Sequence, residues 1–173
     1  MFSRRTVALA VLSSLLLTGC SVISEILPDA AITNVLSGRE GINGPVLVVK
    51  IDDTTQAHPQ VGLEDADLVY IEQVEGGLTR LAAVFSSVIP QRIGPVRSAR
   101  ISDIEILSQF GRVAFAYSGA QSKLLAVIAA ANLQDLGAQR QSPTIFTTDP
   151  NRIPPYAMVL RADLLMQRIT EKK

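Results

Sequence analysis

The sequence has one cysteine, one histidine and no tryptophan, and its basic and acidic residues cancel to a formal charge of zero. Each shortage excludes something. A single thiol, Cys20, allows neither an intrachain disulfide nor a cysteine metal cluster. The single imidazole, His58, lies beside Pro59 in a polar loop, where solvent exposure is the expected state, so nothing nearby builds a His-based triad or metal centre. Zero net charge supplies no long-range field to attract nucleic acid. There is no internal repeat, Walker loop, dinucleotide fingerprint or zinc spacing, and Gly76-Gly77 is too short to serve as a phosphate loop, so no cofactor is expected. No apolar run is long enough to span a bilayer. The longest, Val7 to Leu17, would rise only about 16 Å as a helix, roughly half a hydrocarbon core.

What is present begins with that run. Arg4-Arg5 precede it and Leu17-Thr18-Gly19-Cys20 follow it, the order of a secretory signal peptide. The last four residues resemble the lipobox of bacterial lipoproteins, in which small residues admit a peptidase and the cysteine thiol takes a diacylglycerol. The expected organisation is therefore a signal peptide over 1–19, a lipidated tether over 20–44 starting at Cys20, and a globular domain over 45–173. Pro28 and the turn signals Ser37-Gly38 and Asn43-Gly44 mark the tether, with a short helix around Ala30 to Leu36 left open. Removing residues 1–19 takes two arginines and no acid, which carries the formal charge from zero to −2.

The whole chain, 47% hydrophobic and 18% charged, has the composition of a soluble globular chain with an apolar extra at its N-terminus, and it is long enough for one core without covalent staples. Val46 to Ile51, broken only by Lys50, reads as a strand buried on both faces, with Asp52-Asp53 at its end. Leu68 to Val74 and Thr79 to Val88 read as a hairpin closed at Gly76-Gly77, whose glycines accept positive φ. Ser98 to Phe110 has helical spacing with Ser102-x-x-Glu105 as a capping box and Gly111 as its stop. Arg112 to Tyr117 reads as a strand. Ser118-Gly-Ala-Gln121 reads as a second capping box opening a helix to Ala131, apolar on nearly every side and ended by Asn132 in the left-handed conformation. Short strands at Thr144–Thr147 and Tyr156–Leu160 and an amphipathic segment from Ala162 to Thr170 complete the chain. The fold class is α/β or α+β: a mixed sheet layered with two core helices.

The chemistry concentrates in arginines. The chain has 12 against 4 lysines, and Arg80, Arg92, Arg97 and Arg100 fall close together. A guanidinium offers a planar fork of donors that fits a carboxylate or phosphate. The expected site is an oxyanion receptor made of Arg80, Arg97 and Arg100, with Glu75 turning Arg80 toward the ligand and the N-terminus of the helix after Gly94-Pro95 adding free N–H groups. Glu72 and Asp52 belong to the same region. Internal pairing of these arginines with Glu72, Glu75, Asp103 and Glu105 is the competing reading. Strand alternation puts Glu72 and Glu75 on opposite faces, so they make a poor glycosidase pair. Ser118 reads as a helix cap rather than a nucleophile, since no base is in view.

VEGGLTR at 74–80, IGPVRSAR at 93–100, VVKIDD at 48–53, HPQVGLEDADLVY at 58–70 and FAYSGA at 115–120 resemble the YerB-type family of bacterial lipoproteins, over about Pro45 to Tyr156. The resemblance implies the extracytoplasmic face of the membrane and a domain of unknown function, and relatives commonly continue into a second, smaller domain that is absent here. Where that family often has a His-Asn or Tyr-Asn pair, this chain reads Pro155-Tyr156-Ala157. Two functions follow as expectations. One is a binding or scaffold module, more a binder than an enzyme, that holds an anionic envelope component or an acidic protein. The other is an envelope glycan hydrolase or transferase with Glu72 or Asp52 as general base.

Overall fold

Every residue of the strand Leu47–Asp52 (β1) is buried, and the main sheet is built outwards from it. The computed structural model describes residues 31–170; the signal peptide, Cys20 and the first part of the tether lie outside the described residues. β1 pairs antiparallel with Thr79–Phe85 (β3) and parallel with Val113–Ala116 (β5). Leu68–Gln73 (β2) adds beyond β3, and Leu133–Asp135 (β6) beyond β5, giving a mixed sheet in the order β2-β3-β1-β5-β6. Ser102–Ser108 (α1) precedes β5, and Ser122–Ala130 (α2) makes the parallel crossover from β5 to β6. A second, antiparallel sheet joins Arg92–Ile93 (β4), Met158–Arg161 (β8) and Phe146–Thr148 (β7), in the order β4-β8-β7. Ala162–Thr170 (α3) follows β8 without a break.

Period-two alternation sorts the core. Leu47, Val49 and Ile51 of β1 join Leu81, Ala83 and Phe85 of β3 in a cluster with Ile93, Leu160 and Leu165 from the second sheet and α3. Val48, Ala82 and Val84 point the other way, into a cluster with Phe115, Leu107 of α1, and Leu124 and Ile128 of α2. The layered α/β fold and the two helices against the sheet are as expected. The second sheet arises because β4, β7 and β8, two to four residues each, come from distant parts of the chain and have no pairing signal of their own. Among the described residues the outer strand β2 has no partner beyond β3, and Val69 and Ile71 are exposed.

Local details both confirm and correct the sequence reading. The β2–β3 connection turns at Gly76 and Gly77, with φ of 73° and 72°, and Gly111 after α1 is also left-handed. Neither capping box forms. The first residue before α1 is Ile101, and Ser102 turns its hydroxyl to Glu72 Oε2 at 2.5 Å. α2 starts after Gln121, with no side-chain cap, leaving Ser118 outside it. It ends at Ala131 in extended backbone rather than at a left-handed Asn132, and its exposed face carries Val127. No helix forms around Leu36. Instead Asn34, 1% exposed, donates to Ile42 O and Ser86 Oγ, so the last part of the stretch read as tether is fastened to the end of β3.

Asp67, just ahead of β2, accepts from the amides of Ser86 and Ser87 (2.6 and 2.8 Å) and from Ser87 Oγ. Burial pushes its carboxyl up, but hydroxyls of Ser37 and Ser87 and those two amides outweigh it, and the net direction is below the ordinary value of 3.8. A depressed carboxylate contributes stability that is present above its unfolded value and lost as pH falls through the folded one. Asp67→Ala is expected to lower stability by about 1–2 kcal/mol at neutral pH, with the gap to wild type narrowing as pH falls below the ordinary value of 3.8, as read by urea unfolding across pH.

Candidate functional site

The register of the sheet sets Glu72, Arg80 and Asp52 side by side across β2, β3 and β1. They share the helix-side face with Lys50, two residues back from Asp52 on β1. The segment from Gly94 to Arg100 crosses this end of the sheet and is sewn down by backbone bonds. Asp52 N donates to Pro95 O, Arg97 N to Lys50 O, Val96 N to Met158 O, Ser118 N to Arg97 O, and Ala99 N to Gly119 O, all at 2.8–3.0 Å. One loop therefore ties together β1, β8 and the turn after β5, and it delivers Arg97, Ser98 and Arg100 to fixed places.

Beneath the loop lies a dry ionic cluster. Lys50 Nζ donates to Glu72 Oε1 and, at 2.8 Å, to Asp103 Oδ1. Asp103 Oδ2 accepts from the Arg100 amide at 2.6 Å. Lys50 and Asp103 are 0% exposed and Glu72 7%. Burial, opposed by the Lys50 ammonium and reinforced by the Glu72 charge, pushes the Asp103 carboxyl up to about 6. Burial also acts on Glu72, but hydrogen bonds from Lys50 and Ser102 overcome it and hold that carboxyl below its ordinary value. Two adjacent carboxyls driven apart in this way form an acid and a base. The anion that meets the backbone N–H groups ahead of α1 is thus Asp103 itself, the internal alternative to a ligand there.

The three expected arginines do gather, but with other partners than foreseen. Arg97 Nε lies 2.6 Å from Asp52 Oδ2, and Asp52 Oδ1 takes the amide and hydroxyl of Thr54. Arg80 Nη1 donates to Ser98 O at 2.8 Å. Burial first, then the charges of Arg100 and Arg97, draw the Arg80 pKa down. Glu75 does not orient Arg80: its Oε2 accepts from Nε and Nη2 of Arg100 at 3.0 and 2.7 Å, because the glycine turn carries it out over the loop. Glu72 belongs to the Lys50 cluster. His58 is half-exposed, with Nε2 3.3 Å from Asp53 Oδ1. Ser118 Oγ faces Ser98 Oγ at 3.4 Å, a neighbour that is no base.

Two grooves flank the loop. Arg97 lines one of about 310 Å³ with Ser118, Thr148, Pro154, Pro155 and Met158, and its guanidinium carbon stands 5.9 Å from the centre of the Tyr156 ring. Among the described residues the Arg97 guanidinium makes no aligned hydrogen bond, and its Nε is buried without one. Arg100 and Glu75 line another of about 260 Å³ with Ile101, Lys123 and Val127. Sequence reasoning named Asp103 only as a partner for arginines, gave Lys50 and Tyr156 no part in the site, and missed Thr148. A lone lysine inside a run buried on both faces is a detectable signal, since it demands a carboxylate beside it. Thr148 and Tyr156 gave none, because only the second sheet brings them near Arg97.

Fold and site together define a layered α/β domain in which one loop presents Arg97 and Arg100, with Arg80 reaching it from β3, above a buried lysine–carboxylate cluster. The chain belongs to the family whose members carry the "Protein of unknown function (DUF3048) N-terminal domain", which it matches over residues 32–173. It is similar to "Putative lipoprotein YerB" of Bacillus subtilis (strain 168), 48% identical over 56 residues, which are 32% of this chain and 17% of that one. The crystal structure of the Bacillus subtilis YerB protein superposes with a TM-score of 0.73 at 24% identity, over 82% of this chain and 50% of that one. That likeness establishes the fold, and the chain spans about half of the solved relative. No helix among the described residues is long and apolar enough to cross a membrane.

Replacing Lys50 alone leaves two buried carboxylates facing each other. Lys50→Met is therefore expected to cost roughly 3–5 kcal/mol and to be recorded as a large fall in the urea midpoint.

Proposed function

We propose that the protein is a lipoprotein held by a lipid on Cys20 at the extracytoplasmic face of the cell membrane, where it binds an anionic envelope component or the acidic part of a partner protein. The observation that carries this reading is Arg97. Asp52 lies against it as an ion pair, with Nε 2.6 Å from Oδ2 but no aligned hydrogen bond, and Arg97 lines a groove that also has Ser118 and Thr148. A guanidinium steadied by one carboxylate and with its donors unsatisfied suits an oxyanion. Arg80 has the supporting part: it holds the Ser98 carbonyl, and so the loop, and adds positive charge behind it. Arg100 is partly neutralised by Glu75. The lipid anchor rests on the Leu-Thr-Gly-Cys20 motif and on the name of the similar Bacillus protein.

Hydrolysis of envelope glycan with Glu72 or Asp52 as general base has less support. Both carboxylates are buried and already committed, one to Lys50 and Ser102, the other to Arg97 and Thr54. A general base needs a free path to a substrate proton.

The test is binding of the purified full chain to isolated anionic envelope fractions, at low and moderate salt, beside Arg97→Ala and Arg80→Ala with folding checked by circular dichroism. Loss of binding by more than about tenfold in folded Arg97→Ala, about 1.4 kcal/mol, is the expected outcome. Wild-type binding by that variant removes the oxyanion reading.

A further inference from the structure

The Lys50 cluster has no part in the proposed binding, yet it holds three mutually touching groups of complementary reactivity. Lys50 Nζ contacts both carboxyls, and Glu72 and Asp103 share a hydrogen bond with each other. In water an ammonium beside a carboxylate remains an ion pair, because the protonated amine has no free lone pair and the ionised carboxyl carbon is a poor electrophile. Here the groups are fixed and dry, and properly held intramolecular partners react as if at about 10⁵–10⁸ M. We propose that Lys50 Nζ and Asp103 Cγ are joined by an intramolecular amide bond, formed by the folded chain itself with Glu72 carrying the proton.

The step balances without any co-reactant. Glu72 takes a proton from the Lys50 ammonium, and the freed lone pair attacks Cγ of protonated Asp103, forming the C–N bond. Charge that develops on Oδ2 meets the Arg100 amide, which already donates to that oxygen at 2.6 Å, a backbone donor aimed as in an oxyanion hole. Glu72 returns the first proton to Oδ1, the C–O bond breaks and water leaves, and the nitrogen's second proton passes to Glu72, which ends neutral. Overall, one ammonium, one neutral carboxyl and one carboxylate become one amide, one water and one neutral carboxyl, with no oxidant or reductant.

Two features select Asp103 as the acceptor and Glu72 as the base. Burial raises Asp103 to about 6, which supplies the neutral carboxyl whose oxygen can depart as water. Lys50 and Ser102 keep Glu72 ionised and therefore basic. The product removes a buried charge pair, whose desolvation is expensive. It also joins β1 to α1 across 53 positions of sequence, in a chain whose single cysteine cannot make an intrachain disulfide.

Trypsin digestion and mass spectrometry of the full chain, purified after expression, read the bond directly. The expected result is a branched species joining residues 40–80, uncut at Lys50, to residues 101–112, lighter than the sum of the two peptides by one water. Glu72→Gln that is folded by circular dichroism is expected to lack it. Free peptides 40–50, 51–80 and 101–112 at their unmodified masses, from wild type with cooperative unfolding, overturn the proposal. A bond that persists in Glu72→Gln overturns the role given to Glu72. If that variant does not fold, the wild-type digest alone decides whether the bond exists.

Discussion

A charge placed in a protein core must be answered there, and the Lys50 ammonium sets that requirement for this domain. β1 is apolar on either side of Lys50 up to Asp52 and buried throughout, so the lysine has no route to solvent. Its needs are met by Glu72 from one neighbouring element and Asp103 from another. Those two contacts draw the first turn of α1 onto the sheet and fix the position of β2 relative to β1, although β3 lies between them. Solvating such a charge with protein groups costs most of what their attraction returns. What remains is specificity: a compact alternative that separates Lys50 from its carboxylates strands a charge, and is excluded on that ground.

The arginine loop inherits its precision from the same region. Arg100 contributes its amide to Asp103 and its side chain to Glu75, so one residue links the buried cluster to the surface. Arg97 is set by a carboxylate at the end of β1, and Arg80 by the carbonyl of Ser98. Local positive charge near the groove is therefore smaller than three arginines imply, because Asp52 and Glu75 offset part of it. Under the binding role proposed above, selection rests on geometry more than on field, so that bidentate fit counts and nonspecific attraction counts little.

Much of the main sheet was legible in the residues. The apolar run at β1, the hairpin with its two glycines, and the gathering of Arg80, Arg97 and Arg100 all follow from short-range pattern. The misreadings share one physical cause, which is that Ser102 and Ser118 had better or merely closer partners than the helix ends their spacing suggested. Ser102 serves Glu72, 30 positions away, and spacing along the chain says nothing of that. The assignment of Glu75 to Arg80 failed for a related reason: both belong to the hairpin, but the turn lifts Glu75 toward Arg100. Arg97's surroundings were illegible because β7, β8 and Tyr156 reach it only through the second sheet.

That second sheet makes the site depend on the order in which the chain becomes available. Val96 donates its amide to Met158 O, and Arg92 and Ile93 pair with Arg161 and Leu160. A nascent chain that has emerged only as far as β6 already possesses the central strand, the lysine cluster and all three arginines, but lacks the strand that pins the arginine loop and one wall of the groove. Vectorial synthesis therefore makes the structural core available first, and the arginine loop and the proposed groove gain their final shape only when β8 has joined.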